Sequence, residues 1–88
     1  MPVDHRRKRG GKNTPHRVFG EVLRELRLKG GFSQDSFAFR SGYHRNYIGG
    51  LERGEKSPSL KALFDFAESL GLKPSKLVEK VERRASLR

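Results

Sequence analysis

QDSFAFRSGYHRNYIGGL, residues Gln34–Leu51, decides the fold. Ala38 follows Gln34 by four residues, and Gly42 follows Ala38 by four. A small side chain at Ala38 lets a second helix approach the first. Gly42 allows the left-handed backbone of a tight turn, where a Cβ costs energy. Ile48 and Leu51 then anchor the second helix by one face and leave its other face free. That free face opens with His44, Arg45 and Asn46, side chains able to bond base edges and phosphates.

Outward from this stretch, the pattern predicts an all-α chain. Thr14-Pro15 reads as a helix start, with Thr14 as N-cap and Pro15 in the first turn. The helix continues to about Lys29, with Phe19, Val22, Leu23 and Leu26 at helical spacing, and Gly30-Gly31 ends it. Ser33 caps a second helix to about Arg40, with Phe37 and Ala38 inward. A third helix spans roughly His44 to Arg53 and stops at Gly54. A loop covers Glu55–Pro58. A fourth helix runs from near Ser59 to Leu70, with Leu60, Leu63, Phe64, Ala67 and Leu70 expected on one inward face. Pro74 begins a fifth, with Leu77, Val78 and Val81 apolar, and fraying is expected over 83–88. No segment shows sustained alternation of period two.

Length and charge narrow the function. Eighty-eight residues make one small domain, here residues 14–82. Only 33% are hydrophobic, so part of the chain is tail, and residues 1–13 (MPVDHRRKRGGKN) read as a disordered basic arm. There is no cysteine, which excludes disulfides and thiolate metal sites and suits a reducing compartment. No apolar run approaches a membrane span, and the expected location is the cytoplasm. The net charge of +10 favours a polyanion. Residues 1–17 hold six Lys/Arg against Asp4, whereas residues 30–57 hold Arg40, Arg45, Arg53 and Lys56 against Asp35, Glu52 and Glu55. The motif is therefore no simple basic patch. Arg6, Arg7, Lys8, Arg9 and Lys12 supply attraction to phosphate from the arm, or else only solubility. His5, His16 and His44 fit no metal-ligand spacing, no catalytic constellation stands out, and neither enzyme activity nor a cofactor is expected.

The chain resembles the Xre/Cro family of small helix-turn-helix regulators, to which lambdoid phage repressors and restriction–modification controller proteins belong. The resemblance covers about residues 18–78. Its markers are LRELR (23–27), Ser33-Gln34, Ala38, Ser41-Gly42, Tyr47-Ile48, LERG (51–54), PSL (58–60) and ESLGLKP (68–74). It implies a five-helix, lambda repressor-like domain that puts its third helix in the major groove of double-stranded DNA, usually as a homodimer on a palindromic operator. It implies that Gln34 clamps a phosphate, that His44, Arg45 and Asn46 read bases, and that Tyr47, Arg53 and Lys56 follow the backbone. It also implies a structural ion pair between Arg27 and Glu52.

Some positions keep two readings. His44 either caps the third helix or touches phosphate, or does both. Asn46 reads a base or bonds the local backbone. Tyr47 packs on the second helix with its hydroxyl outward. Phe39 faces out and supports a partner contact, or covers the first helix; RNA polymerase is a further candidate partner of the protein. Gly49 and Gly50 depart from the family's polar side chains: either the backbone approaches DNA closely there, or readout is confined to the first turn. Leu72, Leu77, Val78 and Val81 form a self-complementary dimer patch or merely cap the monomer core. The expected function is a sequence-specific transcriptional regulator. The alternative is a protein-interaction module, an antitoxin or adaptor on the same fold.

Overall fold

The computed structural model describes residues 14–87. The arm expected at 1–13 lies outside them. Five helices follow in order: α1 (Pro15–Lys29), α2 (Gln34–Ser41), α3 (Arg45–Glu52), α4 (Leu60–Ser69) and α5 (Pro74–Ser86). There is no strand among the described residues.

Each start has a local cause. Pro15 fixes the first turn of α1 after an extended Thr14. Ser33 and Ser36 cap α2 reciprocally: Ser33 Oγ accepts from Ser36 N at 3.0 Å, and Ser36 Oγ accepts from Ser33 N at 2.9 Å. His44 Nδ1 accepts from Asn46 N at 3.0 Å and caps α3. Ser59 Oγ accepts from Ala62 N at 3.0 Å and caps α4. Gly42 closes α2 at φ 79°, so the turn into α3 needs the residue without a Cβ.

The core sits where α1 crosses α3 and α5, with α2 and α4 closing the other side. Val18, Leu23, Phe37, Ile48, Leu51 and Phe66 are wholly buried. Phe66 joins the layers, with ring centroids 5.7 Å from Phe37 and 4.9 Å from Tyr43. Gly20, buried in α1, faces α3 so closely that a Cβ would overlap the Leu51 carbonyl. The pair implied between α1 and α3 is present. Arg27 donates from Nε and Nη2 to both carboxylate oxygens of Glu52, at 2.7 and 2.9 Å, and from Nη1 to the Phe32 carbonyl at 2.8 Å. All three nitrogens of this buried guanidinium donate, which offsets the burial of its charge.

Three expectations need correction. The inward face of α4 is Ala62, Phe66 and Ala67, with Leu63 and Leu70 half-buried. Leu60 is 72% exposed and Phe64 51% exposed. Leu77 of α5 is wholly buried, so it belongs to no surface patch; Val78 is 47% exposed, and Val81 and Leu72, the latter just before α5, are half-buried. The helix also runs on to Ser86 rather than fraying from Arg83, because Arg84 returns to α1 and donates to Glu25 at 2.7 Å.

Candidate nucleic-acid interface

The face of α3 turned from the core is built on a glycine floor. With Ile48 and Leu51 buried, a period of 3.6 leaves Arg45, Asn46, Gly49, Gly50 and then Arg53 on the other side. A Cβ on Gly49 would lie 3.0 Å from Arg53 Nη1 and 3.7 Å from Gln34 Oε1. One on Gly50 would lie 3.0 Å from Lys56 Cε. Gln34, Arg53 and Lys56 thus converge over the two glycines, from α2, the end of α3 and the loop after it. The bare backbone gives long side chains room to lie across the helix.

The polar side chains differ in how they are held. Gln34 Nε2 donates to Glu52 Oε1 at 3.0 Å, so the Arg27–Glu52 pair also fixes the glutamine, while its second amide hydrogen stays available. His44 is the cap, and with Nδ1 accepting, its other nitrogen is the outward donor. Arg45 and Asn46 are exposed at the first turn. Arg45 Nε lies 3.1 Å from Asp35 Oδ1 of α2. Arg53 donates from Nε and Nη2 to the two oxygens of Glu55, at 2.9 and 3.2 Å. That guanidinium holds the Glu55 carboxyl below its ordinary value.

Tyr47 does not sit as expected. Its ring stacks on Tyr43 and on Phe66 of α4, at 5.7 and 6.4 Å, and its hydroxyl accepts from Ser59 N at 3.3 Å. It ties α3 to the start of α4. Phe39 is 92% exposed and does not cover α1. Two neighbours escaped the sequence reading. In the sequence Asp35 counts only as a charge, since nothing linear pairs it with Arg45 across the turn. Arg17, in the first turn of α1, lies over Gly54, with its Cγ 2.6 Å from where a Cβ there would stand.

Away from this face, a groove of about 400 Å³ runs between α1, α4 and α5, lined among others by Pro15, Phe19, Leu63, Val78 and Val81. No cluster of His, Cys, Asp or Glu able to hold a metal ion occurs among the described residues, and none of their helices is long and apolar enough to cross a membrane.

Residues 23–77 match the helix-turn-helix family model, which spans α2, the turn and α3. Control protein C.BamHI of Bacillus amyloliquefaciens is 35% identical over 68 residues, covering 76% of this chain and 84% of that protein. The crystal structure of the restriction-modification controller protein C.AhdI from Aeromonas hydrophila superposes with a TM-score of 0.67 at 44% identity, covering 70% of this chain and 94% of that one. The controller protein C.Esp1396I, solved as a tetramer with its natural 35 base-pair operator, has the same fold, with a TM-score of 0.73 at 24% identity over 81% of this chain and 93% of that one.

Proposed function

The chain belongs to the helix-turn-helix family of DNA-binding transcriptional regulators, and from that premise we propose that it binds a palindromic operator as a twofold dimer with α3 in the major groove. The observation that carries this reading is the first turn of α3. His44 caps it, the core holds its back, and Arg45 and Asn46 stand exposed on the side facing away. Arg45 is the candidate guanine reader, by a two-pronged bond to O6 and N7, and Asn46 contacts adenine or phosphate. Gln34 offers its second amide hydrogen to a phosphate, and Arg53 and Lys56 extend the backbone contact along the glycine floor.

The dimer face follows from what the monomer leaves uncovered. Leu60 and Phe64 share one side of α4, Val78 is exposed on α5, and Leu63 and Val81 line the groove beside them. A face of this kind, repeated on a second copy, is self-complementary about a twofold axis. It would set two recognition helices about 34 Å apart. The similarity to control proteins extends the proposal to the genes of a restriction–modification system as its targets, with the cytoplasm as its place of work.

Selection of bound sites from random DNA tests the reading. The wild type should yield a palindrome. Arg45→Ala should lose about 1–3 kcal/mol and relax preference at one base pair per half-site. Gln34→Ala should weaken binding to all sequences alike, because a phosphate contact carries no sequence information. Absence of any enriched motif would sink the operator, and an unchanged motif for Arg45→Ala would remove that residue from base reading.

A further inference from the structure

Among the arginines at or near α3, the partner carboxylate takes different atoms, and the difference decides what each arginine can still do. Arg27 is buried and donates from all three guanidinium nitrogens, to Glu52 and to the Phe32 carbonyl. Arg53 gives Glu55 its side edge, Nε with one hydrogen of Nη2, and lies beyond the first turn, at the end of α3. Arg45 forms an ion pair with Asp35, its Nε 3.1 Å from Oδ1, and among the described residues no hydrogen bond ties its Nη1 or Nη2. Four of its five N–H groups, those on Nη1 and Nη2, remain. They form the end-on fork that matches O6 and N7 of guanine.

We propose that Asp35 is a positioning residue for base reading: from α2 its carboxylate pairs with Arg45 on the Nε side and aims the free fork at a guanine in the major groove. This rests on Arg45 being the base reader proposed above. Asp35 is free for the task because Ser33 and Ser36 already cap α2, and its side chain is 80% exposed. The contact restricts a long side chain that would otherwise lose rotamer freedom on binding. The carboxylate also opposes phosphate, so an Arg45 held beside it is steered from the backbone toward base edges. An exposed pair of this kind adds little to folding stability, so its removal isolates the effect on recognition.

The experiment uses full-length wild type, Asp35→Ala, Asp35→Asn, Arg45→Ala and the Asp35→Ala/Arg45→Ala double variant. Each is measured on the selected site, on that site with the Arg45-sensitive base pair changed, and on a random duplex. Asp35→Ala should lower discrimination at that base pair roughly 3- to 10-fold, part of what the bidentate contact supplies. Its binding to the random duplex should hold or tighten. Asp35→Asn keeps the shape but removes the charge, and should lose discrimination as Asp35→Ala does. In the Arg45→Ala background, removing Asp35 should change discrimination no further. Thermal melts check the fold, and Asp35→Ser, too short to reach Nε, replaces the alanine variant should it melt early. Equal tightening on all three DNAs would make Asp35 a repulsive charge only and overturn the proposal, as would unchanged discrimination. Arg45→Ala selecting the wild-type motif would instead overturn base reading by Arg45 itself, a result that the Asp35 variants alone cannot produce.

Discussion

Glycine has opposite meanings at two positions of this chain. Gly20 lies in the middle of α1, where glycine costs about 1 kcal/mol of helix propensity against alanine. Its reason is the α1–α3 crossing, since a Cβ would run into the Leu51 carbonyl, which is backbone and cannot step aside. Gly49 lies in α3, but the atoms nearest a Cβ there are the ends of the flexible Arg53 and Gln34 side chains. Gly20→Ala should therefore destabilise by about 1–3 kcal/mol in urea unfolding, the range for overpacking. Gly49→Ala should be neutral or gain up to about 1 kcal/mol through helix propensity while moving Arg53 off the helix. Equal effects of the two substitutions would show that α1 can slide away from α3 at no cost.

At the scale of the element, α4 shows how a helix rich in apolar residues can be misread. LKALFDFAES offers one stripe through Leu60, Leu63, Phe64 and Ala67 and another through Ala62, Phe66 and Ala67. The second faces the core because Phe66 fills the space between Phe37 and Tyr43. Polar bonds lock this rotation. Asp65 accepts from the Tyr43 hydroxyl at 2.6 Å and from Lys61 at 2.8 Å. Lys61 first, and Tyr43 after it, hold the Asp65 carboxyl below its ordinary value of 3.8. The folded state thus prefers the ionised form. Its contribution is present above the unfolded value and is lost as pH falls through the depressed folded one. In pH-dependent unfolding, the stability gap between wild type and Asp65→Asn should narrow on acidification below about pH 4. A gap constant with pH would place the effect of the substitution outside this titration.

For the whole molecule, two surfaces act at different ranges. The net charge of +10 draws DNA in over a distance set by salt, and much of the excess lies in the first 17 residues. Deleting residues 1–12 should lower the salt slope of binding by roughly 0.9 for each arm cation that reaches a phosphate. Equal slopes for the full and shortened chains would leave the arm with solubility alone. The apolar face of α4 and α5 acts only at contact. Phe64→Glu and Val78→Glu alter exposed positions, so the monomer should keep its fold while sedimentation shows lost self-association and operator binding weakens. Leu77→Glu would be a poor test of the same idea, because that side chain is wholly buried and a charge there should destabilise the fold itself.

The sequence by itself determined the elements and which residues open the exposed turn of α3. Caps, turn glycines and helical spacing are local properties, and local chemistry suffices to place Ser33, Gly42, His44 and Ser59 at their helix ends. The exposure of Arg45 and Asn46 followed from where Ile48 and Leu51 had to point. Tertiary structure alone decided which stripe of α4 and which residues of α5 met the core, because a helix apolar on two sides has no preferred rotation until its neighbours supply a shape to fill. It alone decided the floor of Gly49 and Gly50 beneath Gln34, Arg53 and Lys56, and the meeting of Asp35 with Arg45. Those are contacts between elements, and their distances depend on how closely backbones cross. At Gly20 that closeness rests on the absence of a single methyl group.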